Sequence, residues 1–240
     1  MTKAWFKEWF DENYLLIYSH RGKNDAEKQI SLLLKNIKPD IQDKILDLGC
    51  GEGRHVSILK NKGFDVTGID LSESLLKSGK SKYPYLKLLQ GDMRNIPGRF
   101  NIILSLFTSF GYFEEDSENI KVIEGVYDSL EKGGHFWLDF LNSEFVRDNI
   151  IKESEFVIGD ACKVCEKREI SGNRIIKNIF LKKNGEKSEY KESVRLFSKE
   201  ELTGILKASG FIIKKVFGNY LGTEWKAGSE RSIFHCRKAE

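Results

Sequence analysis

Apolar and polar positions along the chain change their period several times, and the changes mark out its elements. Apolar runs at Lys44 to Leu48, Asp65 to Asp70, Leu86 to Gln90, Phe100 to Leu106 and Gly134 to Leu141 predict strands. Helical patterns at Val56 to Asn61, Leu71 to Ser81 and Glu114 to Leu130 lie between them, each long enough to cross a sheet face, as parallel neighbours require. Lys132-Gly133-Gly134 is expected to end the last helix, with glycine where a left-handed cap is least strained.

The stretch from Asn142 to Phe197 breaks this alternation and is too long for a plain loop, so it must carry structure of its own. β-rich patterns at Ala161 to Ile170, Arg174 to Lys182 and Ser188 to Leu196 predict antiparallel strands, joined by turns at Ser171-Gly172-Asn173 and Lys183-Asn184-Gly185. Ser198-Lys199-Glu200-Glu201 has capping-box spacing and should open a helix that Gly210 closes after Ser209. Phe211 to Phe217 and Ser232 to Arg237 then supply two strands that complete the main sheet. The expected fold is α/β: a Rossmann-like, seven-stranded, mostly parallel sheet with helices on both faces, built from residues 1–141 and 198–240, with an antiparallel β insertion at 142–197.

Composition narrows the function classes. A chain of 240 residues, 40% hydrophobic, can bury one full core. Its 39 Lys+Arg and 36 Asp+Glu leave a net charge of +3, too slight and too evenly spread for the footprint of a duplex-binding protein. Met1 to Tyr14 carries charges among its aromatics and has no apolar core of a secretory signal, and no apolar run reaches the ~18 residues of a membrane span. Together with four cysteines in a chain that needs no staples, this points to the cytoplasm, with no membrane partner. A homodimer is left open.

Chemistry concentrates at Ile45-Leu46-Asp47-Leu48-Gly49-Cys50-Gly51-Glu52-Gly53, where a strand enters a turn with three alternate glycines and then a helix. Such a turn lets backbone approach a ligand closely. The dinucleotide fingerprint needs a glycine at the sixth position from Gly49, where this chain has Arg54, which weakens a nicotinamide or flavin reading. Asp70, 21 positions after Gly49 at a strand end, is placed to accept bonds from ribose hydroxyls, or else to cap the following helix. Gly91-Asp92-Met93 sets a second acid at the end of the next strand, and two such acids imply a ligand with two ends.

With three glycines and two acids in this order, the chain resembles the class I methyltransferases that use S-adenosylmethionine (SAM). Leu106 to Phe113, Leu130 to Gly134 and the tail from Phe217 to Arg231 are similar to a bacterial and archaeal subgroup that modifies small molecules, carries a β insertion after the fifth strand and includes amino-sugar N-methyltransferases. Glu230 departs from the proline expected before Arg231. The resemblance implies SAM as cofactor and a small-molecule acceptor. It implies a cofactor site of Tyr18, Gly49, Cys50, Gly51, Gly53, Asp70, Leu71, Asp92, Met93 and Leu106: the glycine turn at the methionine part, Asp70 on the ribose, and Asp92 with the Met93 backbone at the adenine.

Trp5, Phe6, Trp9 and Phe10 share one helical face, followed by Tyr14 and Tyr18, and that face is either ordinary core or a lid over the cofactor. A membrane-surface helix would need a basic face that is lacking. Cys162 and Cys165 have no second pair of ligands, the histidines at 20, 55, 135 and 235 show no ligand spacing, and no metal site is expected. His55 reads as a helix-start residue. Methyl transfer needs alignment and exclusion of water more than a nucleophile, so the candidates for positioning or accepting a proton are Tyr112, Asp139, His20 and Tyr18. Pro39, Pro84 and Pro97 are never adjacent, which removes the acid-Pro-Pro-aromatic motif of amino-methylating base enzymes, and no Pro-Cys pair exists for cytosine C5 chemistry. Other nucleic-acid or protein methyltransferases and a SAM-binding sensor remain as alternatives, and a deep pocket lined by Tyr112, Arg195 and Trp225 would count against the sensor.

Overall fold

The computed structural model describes residues 4–18, 23–159 and 162–240; the candidate His20 lies outside them. Strands β1 (Lys44–Leu48), β2 (Asp65–Asp70), β3 (Lys87–Gln90), β4 (Phe100–Ser105) and β5 (Leu130–Leu141) pair in parallel, in the order β5-β4-β1-β2-β3. Their apolar runs have a simple cause, since successive side chains enter opposite cores. Ile45, Ile102 and Leu104 pack on one face; Leu46, Leu48 and Ile103 pack on the other.

Helices α1 (Glu12–Ile17), α2 (Lys23–Ile37), α3 (Arg54–Asn61), α4 (Glu73–Lys82), α5 (Asp116–Ser129), α6 (Ser143–Asp148) and α7 (Lys199–Ala208) surround the sheets. Residues of α2, α3 and α4 belong to the first core, and those of α5 and α7 to the second. The expected capping box opens α7: Glu201 N–H donates to Ser198 Oγ at 3.0 Å and Ser198 N–H to Glu201 Oε2 at 2.7 Å. Helix α2, which the pattern analysis left unassigned, packs on α3.

The insertion is a separate four-stranded antiparallel sheet, β6 (Glu153–Ile158), β7 (Cys162–Ser171), β8 (Arg174–Lys183) and β9 (Glu186–Arg195). Strand β6 was not anticipated; it is a half-exposed edge whose side chains alternate exposed and intermediate, which leaves little apolar signal. Asn184 and Gly185 turn β8 into β9 at φ 52° and 87°, the two positive values a two-residue hairpin needs. Cys162 is buried and Cys165 only partly so, on opposite faces of β7. Strands β10 (Ile212–Phe217) and β11 (Arg231–Arg237) complete a seven-stranded main sheet through antiparallel pairing of β11 with both β5 and β10.

Two local expectations are corrected. Helix α5 stops at Ser129, and Leu130 already pairs with Phe100, so Lys132-Gly133-Gly134 is not a helix cap. It forms an irregular start to β5, where a Cβ on Gly134 would lie 2.8 Å from the carbonyls of Asn101 and Glu131. The N-terminal aromatics do not form one helix either. Trp5–Lys7 is a 3-10 turn, and Asp11 interrupts the stripe by capping α1, accepting from the Asn13 and Tyr14 N–H groups. The aromatics are covered by the insertion: Trp9 and Ile17 share a core with Cys162, Val164, Ile179 and Leu181.

No described helix is long and apolar enough to cross a membrane. Gly68, in β2, marks how closely α3 approaches the sheet. A Cβ there would lie 2.7 Å from Cys50 Sγ and 2.9 Å from both Leu88 Cδ2 and Val56 Cγ2. Gly68→Ala is expected to lower unfolding stability by about 1–3 kcal/mol through overpacking, measured by urea denaturation; an unchanged midpoint would show that these contacts relax freely.

Candidate functional site

A cavity of about 620 Å³ opens beyond the carboxyl ends of the parallel strands and is bounded on its far side by the insertion sheet. Each strand delivers its residues there by ending. Gly49 to Glu52 follow β1, Asp70 and Leu71 end β2, Gly91 to Met93 follow β3, and Leu106 to Ser109 follow β4.

The glycine turn is held by the next strand. The N–H groups of Gly49 and Cys50 donate to Ile69 O at 2.8 and 3.0 Å, and Gly51 N–H donates to Asp70 Oδ2 at 2.8 Å. Each glycine is required for a different reason. A Cβ on Gly49 would lie 2.6 Å from Ser109 Cβ, whereas one on Gly51, at φ +56°, would meet only Leu75 Cδ1 at 3.8 Å and otherwise project into the cavity. Gly53 lies off the cavity wall; its neighbours are Leu86 and Leu88, and its role in this geometry is packing.

Asp70 Oδ1 accepts from Ser72 N–H at 2.8 Å, so each carboxylate oxygen takes one backbone donor and keeps lone-pair capacity for another. Burial pushes its carboxyl upward against the pull of the backbone N–H groups beside it, those of Ser72 and Gly51 foremost. Asp92 is held differently: Oδ1 accepts from the Arg94 N–H and Nε, Arg94 also pairs with Glu118, and bonding to Arg94 keeps the Asp92 carboxyl below its usual range. His55, in the first turn of α3 and on the cavity wall, is driven down to about 3 by burial and by Arg54. It bonds Gln29 Oε1 and is too weak a base to hold a proton near neutrality.

The far wall is ionic and aromatic. Arg168, Lys177 and Glu192 are cross-strand neighbours on β7, β8 and β9, forming one row, with Ile175 and Val194 paired in a second row. Glu192 collects Trp9 Nε1 at 2.7 Å and Tyr18 OH at 3.0 Å on Oε1, and Lys177 Nζ at 2.6 Å on Oε2. Lys177 also bonds the Tyr18 hydroxyl. Tyr112 lies among Trp5, Phe6 and Phe10, with its ring centroid 4.9 Å from that of Trp5.

Of the residues singled out from the sequence, Tyr18, Gly49, Cys50, Gly51, Asp70, Leu71, Asp92, Met93, Leu106 and Tyr112 meet at this one cavity. Asp139 does not: it is buried behind the wall, bonded to Phe107 N–H, Tyr220 OH and Arg231. Arg195 and Trp225 also lie elsewhere, Arg195 pairing with Asp116 and Glu201 and Trp225 bonding Ser232 Oγ. The Arg168–Lys177–Glu192 row was missed; its available signal was the crowding of charged residues in Glu166 to Glu169 and Glu186 to Glu192, which follows no strict alternation. Among the described residues no group of His, Cys, Asp and Glu could hold a metal ion.

Asp47, at the end of β1, makes a pH prediction. It is buried, its Oδ2 lacks a hydrogen-bond partner, and burial, with the Asp70 charge adding and Arg54 opposing, pushes its carboxyl up to about 7 from an ordinary 3.8. Between those values the unfolded chain is ionised while the folded one is protonated, so stability is lost as pH rises through that window. Asp47→Asn removes the dependence. Its melting temperature relative to the parent should climb by several degrees between pH 4 and pH 7 and then level off; parallel curves for the two proteins would place the charge in solvent.

Residues 45–134 match the family described as Methyltransferase domain, a span from β1 to the start of β5. Over 211 residues the chain is 31% identical to YqeM of Bacillus subtilis (strain 168), a methyltransferase by name, covering 82% of this chain and 85% of that one. Over 125 residues it is 32% identical to dTDP-3-amino-3,4,6-trideoxy-alpha-D-glucopyranose N,N-dimethyltransferase of Streptomyces venezuelae, covering 50% and 52%. The crystal structure of a SAM-dependent methyltransferase from Clostridium acetobutylicum ATCC 824 has the same fold, with TM-score 0.82 at 19% identity over 95% of this chain and 98% of that one. By fold, by the glycine turn and by this extended similarity, the chain belongs to the SAM-dependent methyltransferases.

Proposed function

We propose that this methyltransferase acts on the amino group of a small, polar, hydroxylated acceptor held between the insertion and the N-terminal aromatics. One observation carries the reading: a single cavity has a backbone-lined wall with two acids on one side and the Arg168–Lys177–Glu192 row, within an aromatic shell, on the other. The name of the Streptomyces venezuelae relative, an N,N-dimethyltransferase of an amino sugar, agrees with it.

The first wall suits SAM. Gly51 leaves open the space its Cβ would fill, and Asp70 has lone pairs to spare for a diol. In this reading Gly49, Cys50, Gly51, Asp70, Leu71, Asp92, Met93, Leu106 and Tyr18 hold the cofactor. When bound, SAM supplies a methyl group on a cationic sulfur, open to in-line attack by a lone pair. The protein's part is alignment and dryness. Trp5, Phe6, Phe10 and Tyr112 exclude water, while Ile175 and Val194 seat the apolar face of the acceptor. Glu192 has one acceptor position left after its three bonds; there it accepts a hydrogen bond from the N–H of the acceptor amine and takes the proton that the methylated nitrogen then releases. Residues 142–197 are on this view the acceptor wall. The thiols at 50, 162, 165 and 236 are free, in keeping with work in the cytoplasm.

The test is transfer of label from methyl-labelled SAM to a panel of nucleotide-linked amino sugars, their deaminated hydroxyl analogues and simple amines. Label should appear on the amino sugars and not on the hydroxyl analogues; transfer to the hydroxyl compounds, or to none of the panel, would overturn the acceptor class. Glu192→Gln should cut transfer by about tenfold or more while SAM affinity stays within about threefold. Asp70→Asn should instead weaken SAM binding by about 1–3 kcal/mol, measured by calorimetry. An unchanged SAM affinity in that variant would remove Asp70 from the site.

A further inference from the structure

Asp139 does not touch the cavity, yet it is tied to the part of the wall under most backbone strain. Phe107 and Thr108 lie on that wall at φ 55° and 65°, consecutive non-glycine residues in the left-handed region. For a β-branched threonine this is a genuine outlier, and such backbone persists only where its surroundings over-determine it. Here the surroundings are explicit. Phe107 N–H donates to Asp139 Oδ2 at 3.0 Å, and Thr108 N–H donates to Asp139 O at 3.1 Å. Arg231 spans the two partners, with Nε on Asp139 Oδ1 at 2.8 Å and Nη2 on Thr108 Oγ1 at 2.8 Å. Tyr220 OH donates to Asp139 Oδ2 at 2.8 Å, and the Asp139 and Arg231 side chains are 2% and 16% exposed.

The next residue carries the constraint to the glycine turn. Ser109 Oγ donates to Leu106 O at 2.9 Å and lies 3.1 Å from Gly49 O, and Gly49 has no room for a Cβ against it. We propose that Asp139 and Arg231 are positioning residues for methyl transfer: they clamp Phe107–Thr108 in the left-handed conformation and so seat Ser109 on Gly49, which sets the shape of the cofactor turn. An ion pair this far from water contributes little net stability over an apolar substitute, so what the pair adds here is the geometry it imposes. The inference rests on reading the cavity as the SAM site.

Glycine adopts positive φ without help, so a clamp and a plain packing role predict different couplings. Arg231→Met is made in the parent and in a Phe107→Gly/Thr108→Gly background, and SAM is titrated into all four proteins by calorimetry. The clamp requires Arg231→Met to weaken SAM binding by about tenfold in the parent and by less than about threefold with the glycines present. Its cost in melting temperature should be similar in both backgrounds. Equal losses of affinity in the two backgrounds, or no loss in the parent, would overturn the clamp. Arg231→Lys, which keeps charge beside Asp139 but cannot also reach Thr108, replaces Arg231→Met if that variant does not fold. Amide exchange at Cys50 and Gly51 is read in the same four proteins without ligand: it should quicken on loss of Arg231 in the parent and not in the glycine background, and equal quickening in both would again overturn the clamp. A parent that binds no SAM would sink the reading of the cavity, while the exchange data still decide the clamp.

Discussion

The arrangement of this enzyme depends on the Asp70 carboxylate accepting two backbone N–H groups, from Gly51 and from Ser72. One bond fixes the glycine turn that follows β1; the other fixes the entry to α4, where Ser72 Oγ accepts from Leu75 N–H at 3.1 Å. The same hydroxyl donates to Phe10 O at 2.6 Å, which brings the N-terminal aromatic segment onto the cavity wall. A single half-buried acid on the cavity wall therefore links two strand ends, a helix cap and the segment that covers the cavity. Charge-assisted bonds of this kind are strong because little water competes for them, and the cost of burying the acid shows in its raised pKa.

Neither the insertion nor the N-terminal segment has a sufficient apolar core of its own. The four-stranded sheet buries Val164, Ile179 and Leu181 only because Trp9 and Ile17 lie on them, and Trp9 in turn places its indole N–H on Glu192. Covering the cavity and folding the insertion are thus one packing event, since a sheet with one apolar face must bury that face against something. The ionic row survives at the edge of this core because its charges satisfy one another: Lys177 lies between Glu192 and Glu166, and Arg168 bonds Glu166 and Ser154. Near-neutral matching leaves the row on the cavity wall without a large unpaired charge.

The clamp behind the opposite wall follows the same logic with the roles reversed. There the ions are set back and the strained backbone faces the cavity, so the cost of holding Phe107 and Thr108 at positive φ is met by groups off the cavity wall. Glu230, standing where proline was expected, does not disturb this, because Arg231 N–H bonds Gly218 O at 3.0 Å and fixes the local backbone.

The main sheet, its crossover helices and the glycine turn were legible in the sequence because each is written locally: strands buried on both faces give unbroken apolar runs, and a turn pressed against Ser109 on one side and open to the cavity on the other can use only glycine. Edge strand β6, the break at Asp11 and the early end of α5 were not, since each depends on what packs against it. The far wall of the cavity was the least legible part. Arg168, Lys177 and Glu192 are surface-type residues separated in sequence, and only the register of three strands makes them a row and only Trp9 and Tyr18 cover its Glu192 and Lys177 end. Asp139 shows the converse. It was a candidate for positioning or accepting a proton, but its place near the end of β5 says where the backbone runs and not what the side chain meets, and its bonds with Arg231 and Tyr220 hold it off the cavity.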